Sequence, residues 1–218
     1  LALVVLTGIL IVAPSSRAAV GINRLTVEAV LRSDGRGDVT QELILAGAAS
    51  LDWRLFSNPG NLAATADGID LPKDGLKRTK LGSSTRLQSN KIAASRWRLT
   101  YQTTGNLIRH NDRDQFFFKI FQEPGVSIGQ TEVTFSLPEQ EGGTEAVPLI
   151  GNVYAIGGVL GATTDSARAG TISYRADYAG GQALMTVSAS WPKSILALNR
   201  FQEARLALSN LDTLPWIF

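Results

Sequence analysis

The one histidine of the chain, His110, stands in a charged and polar run, Arg109-His110-Asn111-Asp112-Arg113-Asp114. A histidine beside carboxylates can act as a general base, because imidazole titrates near neutrality and an aspartate can orient it. His110 with Asp112 or Asp114 therefore defines one candidate chemistry, that of a hydrolase or lyase. The same run offers a second, since Asn111, Asp112 and Asp114 place oxygen ligands close together, as a hard cation such as Ca²⁺ requires. Against both stands the plain reading of a solvated, turn-forming loop. No Ser-x-x-Lys is accompanied by the companion motifs of penicillin-binding enzymes, no phosphate-binding Gly-x-x-x-x-Gly-Lys occurs, and the loop lacks EF-hand spacing. One histidine and no cysteine cannot supply the ligands of common zinc sites. The sequence thus commits to no catalytic, cofactor-binding or metal-ligating residue and implies no cofactor.

Charge points elsewhere. The formal net charge of +2 is too small to argue for nucleic acid. Between residues 76 and 98, however, lie seven basic residues (Lys77, Arg78, Lys80, Arg86, Lys91, Arg96, Arg98) and no acidic one. A local positive field of this kind can face an anionic membrane or polymer. Lys77, Arg78, Lys80, Arg96 and Arg98 form the candidate interaction surface. Trp97 and Tyr101 accompany them, but alternation sends the rings and the charges to opposite faces, so they do not make the stacking platform of single-strand nucleic-acid binders. Arg36-Gly37-Asp38 spells the tripeptide that adhesion receptors read, at the tip of an expected hairpin.

The elements that must position these residues are strands. Leu25, Val27, Ala29 and Leu31 alternate with Thr26, Glu28 and Arg32, and Val39, Leu43 and Leu45 with Thr40, Glu42 and Ile44. Between them Asp34-Gly35 supplies the positive φ of a tight turn, so the two runs predict a hairpin. Further strands are expected at 51–57, closed by Asn58-Pro59-Gly60, and at 64–71, with a ragged hairpin between 76 and 91. Residues 96–103 carry the cleanest alternation. Residues 115–122, with Phe116, Phe117, Phe118, Ile120 and Phe121, are apolar on both faces and predict a central strand. Strands at 131–137, 153–162, 171–178 and 183–191 complete the pattern. Short strands divided by turns, with no long helices between them, predict an all-β fold, an antiparallel Ig-like β-sandwich extended by extra strands. After Pro192 the period changes. Ile195, Leu198, Phe201, Leu208 and Leu211 then predict a short C-terminal amphipathic helix.

The ends of the chain speak to location. Residues 1–13 are almost wholly apolar and are followed by Pro14-Ser15-Ser16-Arg17-Ala18-Ala19, with small residues at the minus-three and minus-one places of a cleavage site. Residues 1–18 read as a signal peptide or N-terminal anchor, leaving about 200 residues, enough for a core without staples. The absence of cysteine suits a bacterial envelope. Domain organisation follows: 1–18 signal or anchor, 20–192 exported β-sandwich with a sub-boundary at 139–146, and 193–218 a helix leading toward a transmembrane segment announced by Leu214-Pro215-Trp216-Ile217-Phe218.

The order strand, Asp34-Gly35 turn, Val39 followed by Glu42, then Trp97-x-Leu99-x-Tyr101, then Asp114-Gln115-Phe116, then a strand closing on Leu137-Pro138, resembles the bacterial membrane-protein family called domain of unknown function 2207. The resemblance covers residues 22–191, and departs from the family at Phe117-Phe118-Lys119, where a Trp-Asn pair is common. It implies an exported β domain behind a signal peptide, followed by transmembrane helices, and carries no catalytic residue. The expected role is a non-enzymatic ectodomain of a cell-membrane protein, on the extracytoplasmic side, presenting a surface to a protein or an envelope polymer. The alternatives are the His110 hydrolase or lyase and a structural spacer.

Overall fold

In the computed structural model the described residues are 21–104, 106–123, 128–138, 149–156, 159–168, 170–178, 183–196, 198, 200, 201, 203 and 204. The expected first hairpin is present. Strand β1 (Ile22–Leu31) pairs antiparallel with β2 (Gly37–Leu55), and Gly35 turns the chain at φ +80°. Beyond this hairpin the structure departs from the sequence reading. The strands expected at 39–45 and 51–57 are one element: β2 runs for 19 residues without ending. The second arm of the ragged hairpin and the clean 96–103 strand likewise merge into β6 (Ser84–Thr103), of 20 residues. The two pair along their length, with register breaks between Ile44 and Ala49 and between Ser50 and Asp52.

Those breaks bend both strands together. The indole Nε1 of Trp53 donates to Oε1 of Gln41 at 2.9 Å, although 12 residues of one strand separate them. A straight strand would hold them about 40 Å apart. The distal halves of β2 and β6, with β5 (Leu76–Leu81) alongside, therefore fold back over the rest as a flap. Alternation could not announce this, because Ala46-Gly47-Ala48-Ala49 has no polar/apolar rhythm and resembles a loop.

The remaining strands are β3 (Gly60–Ala66), β4 (Ile69–Asp70), β7 (Leu107–Arg109), β8 (Arg113–Glu123), β9 (Ile128–Ser136), β10 (Ile150–Ile156), β11 (Val159–Arg168), β12 (Thr171–Tyr178) and β13 (Ala183–Pro192). A nine-stranded sheet has the order β11-β12-β9-β1-β2-β6-β3-β4, with β5 beside β6, and a four-stranded sheet has the order β10-β13-β8-β7. The all-β sandwich is thus in place. Two strand expectations are corrected. Residues 64–71 form a hairpin, β3 and β4, because Asp67 and Gly68 both take positive φ (48° and 84°) and make the tight turn that such a pair prefers. Residues 153–162 are two strands in different sheets. One pairing, β1 with β9, is parallel, which alternation does not encode.

The sheets meet over aromatic rings. Phe135 of β9 stacks on Phe116 of β8 at 5.0 Å and on Trp191 of β13 at 5.6 Å, and Phe116 stacks on Phe118 at 5.8 Å. Buried Phe and Trp anchors of this size cost about 3–5 kcal/mol each when cut to Ala. The phenol of Tyr174 in β12 donates across the gap to the Ser188 carbonyl at 2.6 Å. The run that looked apolar on both faces is resolved by a β-bulge: Ile120 is the extra residue against Met185 and Thr186, so Ile120 and its neighbour Phe121 both turn inward. After β13 comes a 3₁₀ turn, Lys193–Ile195. The expected signal segment and the 139–146 boundary lie outside the described residues, as does most of the expected C-terminal helix, of which residues 200, 201, 203 and 204 are described as helical. Among the described residues no helix is long and apolar enough to cross a membrane.

Two measurements test this architecture. A Cβ at Gly129 of β9 would stand 2.6 Å from the Asn23 carbonyl oxygen on the parallel neighbour β1, whereas one at Gly47 meets nothing within 4 Å. Gly129→Ala should lower unfolding free energy by about 1–3 kcal/mol in a denaturant titration, and Gly47→Ala should not. The Asp67 carboxylate accepts from Ser95 N (3.1 Å), Ser95 Oγ (2.9 Å) and Arg96 N (2.8 Å), and these bonds hold its pKa below the usual carboxylate value. A lowered folded pKa means stabilisation present above the unfolded pKa of about 4 and lost as acid protonates the folded form. The stability gap between wild type and Asp67→Ala should accordingly be open at pH 7 and narrow progressively below pH of about 4.

Candidate functional site

Alternation in the distal half of β2 buries Leu51, Trp53 and Leu55 and turns Asp52, Arg54 and then Phe56 outward. Register places Arg86 opposite Arg54 and Gln88 opposite Asp52, and on the next strand Thr79 opposite Arg86 and Lys77 opposite Gln88. The outer face of the flap therefore carries Lys77, Arg54 and Arg86 together. Asp52 is bound into it: it accepts from Arg86 Nε at 2.7 Å, from Arg86 Nη2 at 2.6 Å and from Gln88 Nε2 at 3.3 Å. Arg54 donates from Nε to Ser84 Oγ at 2.8 Å and lays its guanidinium 5.0 Å from the centre of the Phe56 ring.

The face continues onto the smaller sheet. Lys119, on the outward side of β8, places Nζ 5.4 Å from the centre of the same Phe56 ring and donates to Gln122 Oε1 at 3.0 Å. Burial, and after it the nearby positive charge of Arg54, holds the Lys119 pKa below the usual lysine value. A cation over an aromatic face contributes about 0.5–1 kcal/mol at an exposed site. The flap and the small sheet thus join in a notch of two cations on one ring.

The five residues singled out from the sequence are divided among three places. Lys77 lies on this face. Arg78 donates from Nη2 to the Leu62 carbonyl at 2.9 Å, toward β3, and Lys80 is exposed opposite Thr85. Arg96 and Arg98 lie on the outer face of the main sheet, in register with Ile44 and Glu42. There Arg96 Nε donates to Glu42 Oε1 at 2.7 Å, which raises the Arg96 pKa. Sequence reasoning missed Arg54, Phe56 and Lys119. Phe56 offered a signal, an aromatic ring on the polar phase of its strand, and so did Lys119, the one charge inside the phenylalanine run.

The His110 constellation does not assemble. Asp114 is wholly buried and accepts two bonds from Arg109, at 2.8 and 2.9 Å. Arg109 also donates to the Leu196 carbonyl at 3.1 Å and to Glu203, and these carboxylate bonds, Asp114's first, raise its pKa. The pair thereby clasps the chain that follows β13 across the end of the sandwich. The His110 ring instead contacts Gln115 Oε1 at 3.2 Å, and Asp112 is exposed. With Asp114 spent on Arg109, the cation-site reading loses a ligand. Among the described residues no three His, Asp or Glu side chains gather to hold a metal ion. Residues 125–129 spell Gly-Val-Ser-Ile-Gly, so a nucleophile-elbow spelling is present in the chain, against the reading that it holds none. The elbow needs a helix after its serine, and here Ile128 opens strand β9. Arg36-Gly37-Asp38 is built into the hairpin: Arg36 pairs with Asp34 at 2.6 Å, Gly37 packs on Thr103 and Phe116, and Asp38 accepts from Gln102 at 3.0 Å.

No family model matches the chain, and no curated protein matches it. Among solved structures it is similar to an M1 zinc metallopeptidase from Deinococcus radiodurans, at 12% identity and a TM-score of 0.37, over 78% of this chain and 42% of that one. It is also similar to aminopeptidase A from Legionella pneumophila, at 9% identity and a TM-score of 0.40, over 77% of this chain and 21% of that one. The chain thus spans less than half the length of either, and the likeness is too slight to bear on activity.

Replacing Arg109 by Met leaves the Asp114 carboxylate buried without its partner and should lower stability by about 3–5 kcal/mol in chemical denaturation. Arg109→Met combined with Asp114→Leu should recover much of that loss. If the single and double variants were equally unstable, the clasp would not depend on the pair.

Proposed function

We propose that this chain is the non-enzymatic, extracytoplasmic β domain of a bacterial envelope membrane protein, and that it works by presenting the cationic face around Phe56 to an anionic envelope surface. The observation that carries the reading is the gathering of Lys77, Arg54, Arg86 and Lys119 on one outward face, with Asp52 bound among them. Sheet register fixes the backbone positions from which these charges project. The export reading of residues 1–18 and the family resemblance support the location, and they put such a face where anionic lipids and polymers are its neighbours.

The main-sheet face is the natural control. Its rows, Ser173-Thr134-Glu28-Thr40-Thr100 and Arg175-Glu132-Thr26-Glu42-Arg98, run across five strands in register and mix both signs, with Arg24 paired to Glu132 and Arg96 to Glu42. A face that satisfies its own charges has little field left to offer a distant anion.

A basic residue near an anionic surface contributes about 1 kcal/mol, so reversing two should weaken binding by more than about tenfold. Lys77→Glu with Lys119→Glu should therefore release the protein from vesicles containing anionic lipid, at low salt, in a flotation assay. Arg96→Glu with Arg98→Glu should leave retention nearly unchanged. Equal retention of the first variant and the wild type would overturn the reading.

A further inference from the structure

We propose that the depression on the outer face of the main sheet, between β1, β2, β6 and the start of β3, is a binding site for a single sugar unit. The proposal goes beyond the proposed function, since it concerns the other outer face and uses none of the cationic residues around Phe56. The depression has a volume of about 270 Å³, just under the range of about 300–1,000 Å³ usual for whole ligands. It is sized for one ring.

Sheet register builds its floor. Glu28, Thr40 and Thr100 stand side by side in one row, and Val30, Asp38 and Gln102 in the next. These side chains all take the outward phase, and neighbours in a row lie about 4.8 Å apart. The rim comes from β3, whose pairing with β6 is irregular between Gly60 and Ala63. Asn61 lies in that irregularity at φ 49°, a left-handed conformation that asparagine tolerates better than most residues, and its Nδ2 reaches back to Gln102 Oε1 at 3.0 Å. Gln102 in turn donates from Nε2 to Asp38 Oδ1 at 3.0 Å, and Arg32 donates to Asp38 Oδ2 at 3.3 Å. One side of the depression is thus fixed by its own hydrogen bonds.

The other side is left open. Among the described residues Glu28 has no hydrogen-bond or ion-pair partner, unlike Glu42 and Glu132 on the same face, and the Thr40 and Thr100 hydroxyls have none. Asn61 spends its amide nitrogen on Gln102 and keeps its oxygen. The open set is therefore rich in acceptors, with hydroxyls that also donate. The carboxylates of Glu28 and Asp38 turn an anion away. An ammonium is a point charge that Glu28 alone would meet, and an exposed pair of that kind contributes about 0.2–1 kcal/mol, leaving the threonines and Asn61 idle. A sugar ring carries hydroxyls around its perimeter, so it donates to Glu28 in charge-assisted bonds while exchanging bonds with the threonines and Asn61 on the strands beyond. Val30, 47% exposed in the second row, offers an apolar contact to the C–H face of such a ring.

The test is a nuclear magnetic resonance titration of the protein with the methyl glycosides of glucose, galactose, mannose and N-acetylglucosamine in turn, following the backbone amides of Thr40 and Thr100 and the Asn61 side-chain amide. At least one glycoside should give a saturable shift of these signals. The response should weaken about tenfold in Glu28→Gln, which removes a charged acceptor, weaken several-fold in Thr40→Val, and stay unaltered in Lys77→Glu with Lys119→Glu. Glu28 and Thr40 both project from the outer face, and the spectra of their variants should match wild type away from the depression, which separates a lost site from a lost fold. Failure of all the glycosides to saturate, an undiminished response in Glu28→Gln, or an equally strong saturable response to ethylammonium chloride would overturn the site. A tetrasaccharide of the responding sugar that binds more tightly than its methyl glycoside upholds the site for a polymer chain, and equal affinity upholds it for a single sugar. Because the vesicle assay reads the other face, a glycoside response without vesicle retention upholds this site while sinking the surface-binding reading, and vesicle retention without a glycoside response sinks this site alone.

Discussion

The shared bend of β2 and β6 is the constraint on which the rest of the molecule depends. It is held by a buried amide. Gln41, only 1% exposed, accepts from the Trp53 indole of the flap at 2.9 Å and donates to the Tyr101 hydroxyl of the main sheet at 3.1 Å, so one end of its side chain holds the flap and the other is fixed in the sheet beneath it. Leaving such a group unpaired in the interior costs about 1–3 kcal/mol, which makes the closed flap the arrangement that satisfies it. Burial also drives the Tyr101 pKa far above its usual value, so the phenol stays a neutral partner at any physiological pH. At the corner itself the Trp97 indole donates to the Ala49 carbonyl at 3.2 Å, where the β2–β6 ladder resumes after its break.

Closing the flap has a second consequence. The layer opposite the main sheet is built from two pieces, the four-stranded sheet and the folded-back halves of β2 and β6 with β5. They abut where Lys119 meets Phe56. Each piece alone would present a modest set of charges. The joint brings Arg54 and Lys119 to one ring, and it does so because β8 sends Lys119 outward between the inward Phe118 and Ile120.

The two outer faces manage charge differently. On the main sheet, arginines stand in register with or next to carboxylates, as in Arg96 with Glu42 and Arg24 with Glu132. Exposed pairs of this kind contribute about 0.2–1 kcal/mol, so they matter less as stability than as a way of cancelling the field. On the flap, Asp52 meets Arg86 and the other basic residues outnumber it. Among the described residues the two faces thus arrange their charges differently, a distinction invisible in a net charge of +2.

Much of the secondary structure was legible because period-two alternation records which side chains are wet. Leu25, Val27, Ala29 and Leu31 announced β1, Asp34-Gly35 its turn, and Trp97, Leu99 and Tyr101 the inward side of β6. The sequence by itself determined the all-β class and the phase of the strongly alternating strands, β1, the inward side of β6 and β9 among them. It did not determine that residues 37–55 are one bent strand, that β1 and β9 run parallel, or that the basic run between 76 and 98 scatters over three surfaces while Arg54 and Lys119 converge from segments 65 residues apart. Alternation is local, whereas neighbours in a sheet lie about 4.8 Å apart whatever their distance along the chain. Which charges meet is therefore set by strand order and by the bend, and only the folded chain contains them.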